Sequence, residues 1–250
     1  MKAIILAAGK GERLKEITQT IPKPMINFKG KPILEYNILL CKTFGITDIY
    51  INLHHLPEII ADYFGDGKKF AVNIHYSYEK ELLGTAGAVK KIANDFGFQN
   101  QTFMQSSIHA SSEYFFVIYG DNYSNFDLNL LLEKQKETKA ICIIAFHYRE
   151  DTLHSGIAEF DKKGRVLKFI EKPLPGESDS YWVNAGIYLL QLEILNYIPD
   201  GFSDFGKDIF PKILKENIPI YAVCSASEVK AFDTPLMYSK NFTNSGKNNE

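Results

Sequence analysis

The first thirty-two residues constrain this chain more than any other stretch. An apolar run, Lys2-Ala3-Ile4-Ile5-Leu6-Ala7, leads directly into Ala8-Gly9-Lys10-Gly11-Glu12-Arg13-Leu14, and Ile21-Pro22-Lys23-Pro24 and Gly30-Lys31-Pro32 follow. A strand that ends in a glycine-rich loop can aim backbone N–H groups at an anion beyond the strand end, and small residues let a bulky anion come close. Arg13 and Lys23 add full positive charge to those dipoles. The segment is therefore read as a phosphate-binding loop. A Walker A loop would close with Gly-Lys-Ser/Thr, where this chain has Gly11-Glu12-Arg13. A dinucleotide fingerprint would need a third glycine where Leu14 stands, and it has no use for Pro22-Lys23-Pro24.

Composition sets bounds that agree. At 250 residues with 45% hydrophobic content the chain can bury a large core. Residues 1–238 are expected to form a single domain, with 97–112 as a Gln-, Ser- and Asn-rich loop insertion and 239–250 as a polar, disordered tail. A net charge of −2 gives no general pull toward nucleic acid or anionic membrane, so the cations of the opening loop are local. Nucleic acid and membrane are not expected as partners. Cys41, Cys142 and Cys224 are few and scattered, which fits reduced, buried thiols better than disulfides or a zinc site. Met1-Lys2 leads into a short strand without a signal-peptide pattern, and a cytoplasmic protein is expected.

Strand and helix patterns alternate over most of the length. Strands are predicted over Ala3–Leu6, Asp48–Leu53, Ala71–Tyr76, Tyr114–Tyr119 and Ala140–Phe146. Between them lie predicted helices over Pro32–Phe44, Pro57–Phe64, Gly84–Phe96 and Leu128–Lys136. The first of these is expected to bury Ile33, Tyr36, Leu40 and Phe44. Shorter strands follow at Ile157–Phe160, Val166–Ile170 and Trp182–Leu189, then a helix at Lys207–Lys215 and a strand at Ile218–Val223. The expected fold is α/β, a three-layer αβα sandwich on a Rossmann-like, mostly parallel sheet, with a small mixed or antiparallel extension. The fourth strand delivers Gly120-Asp121 to the carboxyl edge, where ligands bind in open α/β folds. A carboxylate there can hold magnesium, which takes few protein ligands and keeps phosphates or waters. The alternative is a turn cap shared with Asn122 and Ser124.

The ordered set of short motifs resembles the sugar-phosphate nucleotidylyltransferases, in particular the short guanylyltransferase-like members acting on mannose or heptose 1-phosphate. Beyond the opening loop it comprises Leu83-Gly84-Thr85-Ala86-Gly87, Tyr119-Gly120-Asp121, Phe169-Ile170-Glu171-Lys172-Pro173, Asn184-Ala185-Gly186-Ile187-Tyr188 and Asp233-Thr234-Pro235. Single motifs of this length arise by chance; their shared order across nearly the whole chain is the specific signal. Some members carry a further β-helical domain, which this chain is expected to lack.

The resemblance implies transfer of a nucleotidyl group from a nucleoside triphosphate to a sugar 1-phosphate, with magnesium as cofactor and pyrophosphate leaving. It implies that Arg13, Lys23 and Asp121 are catalytic, and that Leu6, Ala8, Gly9, Gly11, Glu81, Gly84 and Thr85 bind the nucleotide. It places Gly156, Glu171, Lys172, Asn184 and Gly186 at the sugar phosphate, and Asp121 and Asp233 at the metal. Departures from the pattern leave alternatives open. Strict register puts Ala231 where relatives have the second aspartate, so either Asp233 has taken over ligation or the metal has one protein ligand fewer. Gly156 and Gly186 can instead be turn or bulge glycines, Glu79 and Glu81 can be solvated, and His54-His55 read as packing residues. A glutamate upstream of Leu83-Gly84-Thr85 leans toward guanine, whereas Ala7-Ala8-Gly9 also resembles uridylyl-transferring members; thymidylyl and cytidylyl transfer stay open. Rival classes are a nicotinamide oxidoreductase and a non-catalytic nucleotide- or sugar-binding relative. The oligomeric state is open, a homo-oligomer included.

Overall fold

The computed structural model describes residues 1–14, 16–98, 114–235 and 237–239. The proposed insertion from residue 99 onward and the tail from residue 240 onward lie outside the described residues. In chain order the strands are β1 (Lys2–Leu6), β2 (Asn27–Phe28), β3 (Lys31–Pro32), β4 (Asp48–Leu53), β5 (Asn73–Tyr78), β6 (Tyr114–Tyr119) and β7 (Asn122–Ser124). They continue with β8 (Cys142–Tyr148), β9 (Gly156–Phe160), β10 (Val166–Glu171), β11 (Trp182–Gln191), β12 (Ile220–Ser225) and β13 (Val229–Ala231). The helices are α1 (Ile33–Thr43), α2 (Pro57–Phe64), α3 (Gly84–Asp95), α4 (Asn129–Thr138) and α5 (Phe210–Lys215). The described residues group into two compact units, one drawn from 1–82, 118–126 and 228–239, the other from 83–98, 114–117 and 127–227.

In the first unit β1, β4 and β5 pair in parallel, with Ile4 opposite Tyr50 and Ile51 opposite Tyr76. Ile4, Ile5, Ile49, Ile51 and Leu53 are fully buried, as continuous apolar runs in a parallel sheet require. Helix α1 departs from the predicted face. It buries Ile33, Leu34, Asn37, Ile38 and Cys41, while Tyr36, Leu40 and Phe44 are only partly covered. The stripe is rotated by about one residue because buried Asn37 belongs to it, its Nδ2 donating to the Asn122 carbonyl at 3.0 Å. A hydrophobicity pattern cannot see that polar member.

In the second unit β10, β9, β11 and β8 pair antiparallel in succession, and β12 runs parallel to β8. This is the expected mixed extension. The predicted helix at Lys207–Lys215 is instead a π turn over Phe205–Ile209 followed by α5. Phe205, Phe210 and Tyr188 stack there as fully buried rings with centroids 5.2–5.5 Å apart. Cys41 and Cys142 are buried, but Cys224 is exposed, contrary to expectation: it lies near the end of β12, whose described partner strand is β8 alone. Among the described residues no helix is long and apolar enough to cross a membrane.

Candidate active site

The loop after β1 is shaped from behind by side chains. Ala7 N–H donates to Asn52 Oδ1 at 2.8 Å, and Asn52 Nδ2 donates to Glu79 Oε1 at 2.7 Å, all three residues being buried. Gly11 turns the chain at φ +65°, where a side chain would also meet the Thr18 methyl at 2.7 Å. A short 3-10 turn, Glu12–Leu14, follows. Buried Leu14 packs into a cluster with Ile26, Phe28, Ile33 and Phe232, which leaves neighbouring Arg13 at the surface.

The same cluster seats the far end of the chain. Strand β13 pairs antiparallel with β7, Lys230 opposite Tyr123 and Ala231 opposite Asn122. The next residue after the strand, Phe232, buries its ring against Phe28. Asp233 then arrives beside Asp121. Both carboxylates hydrogen-bond the ammonium of Lys23, which is 5% exposed. Arg13 Nη2 stands 3.4 Å from Asp233 Oδ1. Burial pulls the Lys23 pKa down, but the two carboxylates outweigh it and hold the group above its ordinary 10.5.

Gly9, Lys10, Gly11, Glu12, Arg13, Lys23, Leu82, Asp121 and Asp233 line a cavity of about 380 Å³. Three cations face three carboxylates in that lining. The lining is therefore balanced in charge, and a polyanionic triphosphate would need a further cation. Among the described residues no group of three or more His, Cys, Asp or Glu is placed to hold a metal ion, so a divalent ion at Asp121 and Asp233 would have to take its remaining ligands from phosphate and water. Ala231 itself sits within β13, so the aspartate brought to this point is Asp233.

Other predicted residues fall differently. Glu81 is exposed, whereas Glu79 is buried against Asn52 and so is not the solvated residue allowed for. Leu6 and Ala8 stand at the end of β1, half-buried and buried. In the second unit Thr85 is held by Asp204: its N–H and hydroxyl both donate to Asp204 Oδ1, at 3.1 and 3.2 Å, and its Oγ1 accepts from Phe205 N–H at 2.9 Å. Gly84 at φ +71° packs on the Ser203 carbonyl. Asn184 and Gly186 form a bulge in β11, with Asn184 Oδ1 accepting from Gly186 N–H at 2.9 Å and Nδ2 donating to Tyr188 at 2.7 Å. Lys172 is exposed and left-handed at φ +57°, so β10 ends between it and Glu171 and the two need not share a strand's alternation.

Glu171 is the unusual member. A Cβ at Gly206 would lie 2.6 Å from its Oε2, and one at Gly156 2.8 Å, so two glycines make room for the carboxylate. Among the described residues no donor hydrogen-bonds its side chain. Burial pushes its pKa above the ordinary 4.5, opposed by Lys172 and Lys207 and reinforced by Asp204. Sequence reasoning missed Asn52, Thr18, Glu79 and Gly206. Only Asn52 carried a signal, as a lone amide in the otherwise apolar end of β4.

Two outcomes follow. Lys23→Met should lower unfolding stability by about 3 kcal/mol or more, since it leaves two close carboxylates without their buried counter-charge. Adding Asp121→Asn should recover part of that loss in urea titrations; no recovery would show that the loss is one of packing. For Glu171, the native state binds more protons than the unfolded chain once pH passes the ordinary 4.5, so this group makes stability fall as pH rises. Glu171→Gln should therefore melt higher than wild type at pH 7, with the gap closing toward pH 4; equal melting at both pH values would refute the burial account.

The comparisons with known proteins agree with this geometry. Residues 2–229 match the nucleotidyl transferase family model. A UTP–glucose-1-phosphate uridylyltransferase from Synechocystis is 39% identical over 89% of this chain, which spans 58% of that protein's length. A D-glycero-α-D-manno-heptose 1-phosphate guanylyltransferase from Campylobacter jejuni is 34% identical over 87% of this chain and 86% of its own. A Bacillus anthracis crystal structure described as a glucose-1-phosphate thymidylyltransferase superposes with a TM-score of 0.82 over 100% of this chain and 97% of that one, at 23% identity, which speaks to the fold alone. The match spans the loop after β1, Lys23, Asp121 and β7 and ends at the first residue of β13, and on that ground the chain belongs to the nucleotidyl transferase family.

Proposed function

We propose that the chain is a sugar-1-phosphate nucleotidylyltransferase dependent on magnesium, with GTP as donor and a mannose- or heptose-type sugar 1-phosphate as acceptor. The observation that carries the reading is the meeting of Arg13, Lys23, Asp121 and Asp233 at one cavity beside the glycine loop. An oxygen of the sugar phosphate attacks the α-phosphorus, the bond from α-phosphorus to the bridging oxygen breaks, and pyrophosphate leaves with the electron pair. The nucleophile is already ionised, so no general base is needed and catalysis rests on positioning and charge neutralisation. Loop N–H groups at Gly9 and Gly11 bind the β- and γ-phosphates. Arg13 stabilises charge on the leaving pyrophosphate, and Lys23 supplies a fixed ammonium between the carboxylates. Asp121 and Asp233 would hold the metal, which supplies Lewis-acid polarisation of the phosphoryl group. Glu171 accepts hydrogen bonds from sugar hydroxyls and Lys172 meets the sugar's phosphate.

A second reading, UTP with glucose 1-phosphate, is favoured by the 39% identity to the Synechocystis uridylyltransferase. Pyrophosphate release with magnesium, crossing GTP, UTP, dTTP, CTP and ATP against mannose, heptose, glucose and N-acetylglucosamine 1-phosphates, separates the two. Turnover with GTP and abolished by chelator is expected; silence in every combination would sink the enzyme reading. Arg13→Ala should lower kcat by at least about tenfold with an unchanged melting temperature. Wild-type kcat in that variant would remove Arg13 from the chemistry.

A further inference from the structure

A loop that binds phosphate through its N–H groups must also keep its carbonyls turned away, because each carbonyl oxygen repels the same anion. At Gly11 this is done by two donors. Its carbonyl accepts Leu14 N–H at 2.9 Å and the Thr18 hydroxyl at 3.0 Å, so both lone-pair directions are used. Thr18 is 4% exposed, and its methyl packs directly against the bend. Its own carbonyl is in turn bonded by His55 Nε2 at 2.7 Å. A carbonyl only accepts, so Nε2 carries the proton, in the neutral ring as in the charged one. His55 is presented by a strained turn: Leu56, next in the chain and directly before Pro57, is held left-handed at φ 47°, ψ 52°. A non-glycine residue there costs energy, and before proline the extended region is the ordinary choice. Strain of this kind persists where the surroundings over-determine a conformation, often at working sites.

We propose that Thr18 and His55 are positioning residues for the phosphate loop, forming a relay that locks the Gly11 carbonyl away from the cavity so that the loop N–H groups and Arg13 face a triphosphate. This rests on the reading of the loop as a triphosphate cradle. The relay acts on the nucleoside triphosphate and leaves the sugar phosphate untouched.

Calorimetric titration with inorganic tripolyphosphate in magnesium buffer tests this without knowledge of base or sugar. Thr18→Val keeps the shape and removes the hydroxyl, while Thr18→Ser keeps it; His55→Leu removes the donor, while His55→Gln restores one. Losing one hydrogen bond of this kind should raise the tripolyphosphate Kd about tenfold in Thr18→Val and His55→Leu, and leave Thr18→Ser and His55→Gln within about twofold of wild type. In turnover assays the KM for triphosphate should rise with that for sugar 1-phosphate unchanged. Wild-type affinity in Thr18→Val, or an equal loss in Thr18→Ser, overturns the relay. If Thr18→Val fails to fold, the His55 pair decides alone. A wild-type protein that binds no tripolyphosphate would overturn the cradle reading and the relay together, whereas wild-type binding with unaffected variants overturns the relay only.

Discussion

The first unit is organised around one buried ammonium. Two carboxylates, from residues 112 positions apart in sequence, cannot share a point in a partly buried site without a cation between them, and Lys23 is that cation. Everything nearby serves the meeting. The β7–β13 ladder sets Asp121 and Asp233 side by side, and the rings of Phe28, Tyr123 and Phe232 pack beneath it. Leu14 joins the same apolar cluster, so Arg13 is delivered to Asp233 by the packing that seats the ladder. Core and charge are therefore not separable here: the hydrophobic contacts determine which charges meet.

The loop after β1 contributes the complementary half of the electrostatics. Backbone dipoles in such a loop cannot be selected by side-chain identity and are aimed by what surrounds them. Asn52 fixes the loop's entry through Ala7 N–H, and Thr18 fixes its exit through the Gly11 carbonyl. Both rest on the carboxyl end of β4 or the turn after it, through Asn52 itself and through His55. A parallel strand thus serves as the ruler for both ends of the loop.

Much of this was legible from residue order. Tyr114–Tyr119, Asp48–Leu53 and Pro57–Phe64 occur where the apolar runs and proline start place them, because continuous burial writes itself into composition. The glycine loop and its two cations were visible for the same reason. Three-residue strands were not: β7 and β13 are too short to carry a period, and their pairing joins segments more than a hundred residues apart. That pairing precedes the step that carries Asp233 to Lys23, where it meets Asp121. Glu79 and Glu81 likewise look alike in sequence, two residues apart on the same polar stretch. Only the end of β5, which turns one inward to Asn52 and the other to solvent, distinguishes them.

The second unit treats its carboxylate in the opposite way. Where Asp121 and Asp233 are compensated by Lys23, Glu171 is set among Phe169, Gly156 and Gly206 with no donor on its side chain among the described residues. Glu171 is half-buried, and a carboxylate partly withdrawn from water without a donor is disfavoured in its charged form, while the two glycines make room for it. The π turn at Phe205–Ile209 brings Gly206 to that position, at a local cost in helix geometry. The ring of Phe169 that borders both glycines packs edge-on against Phe210, so the carboxylate is set at the margin of an aromatic core and not at a charged cluster.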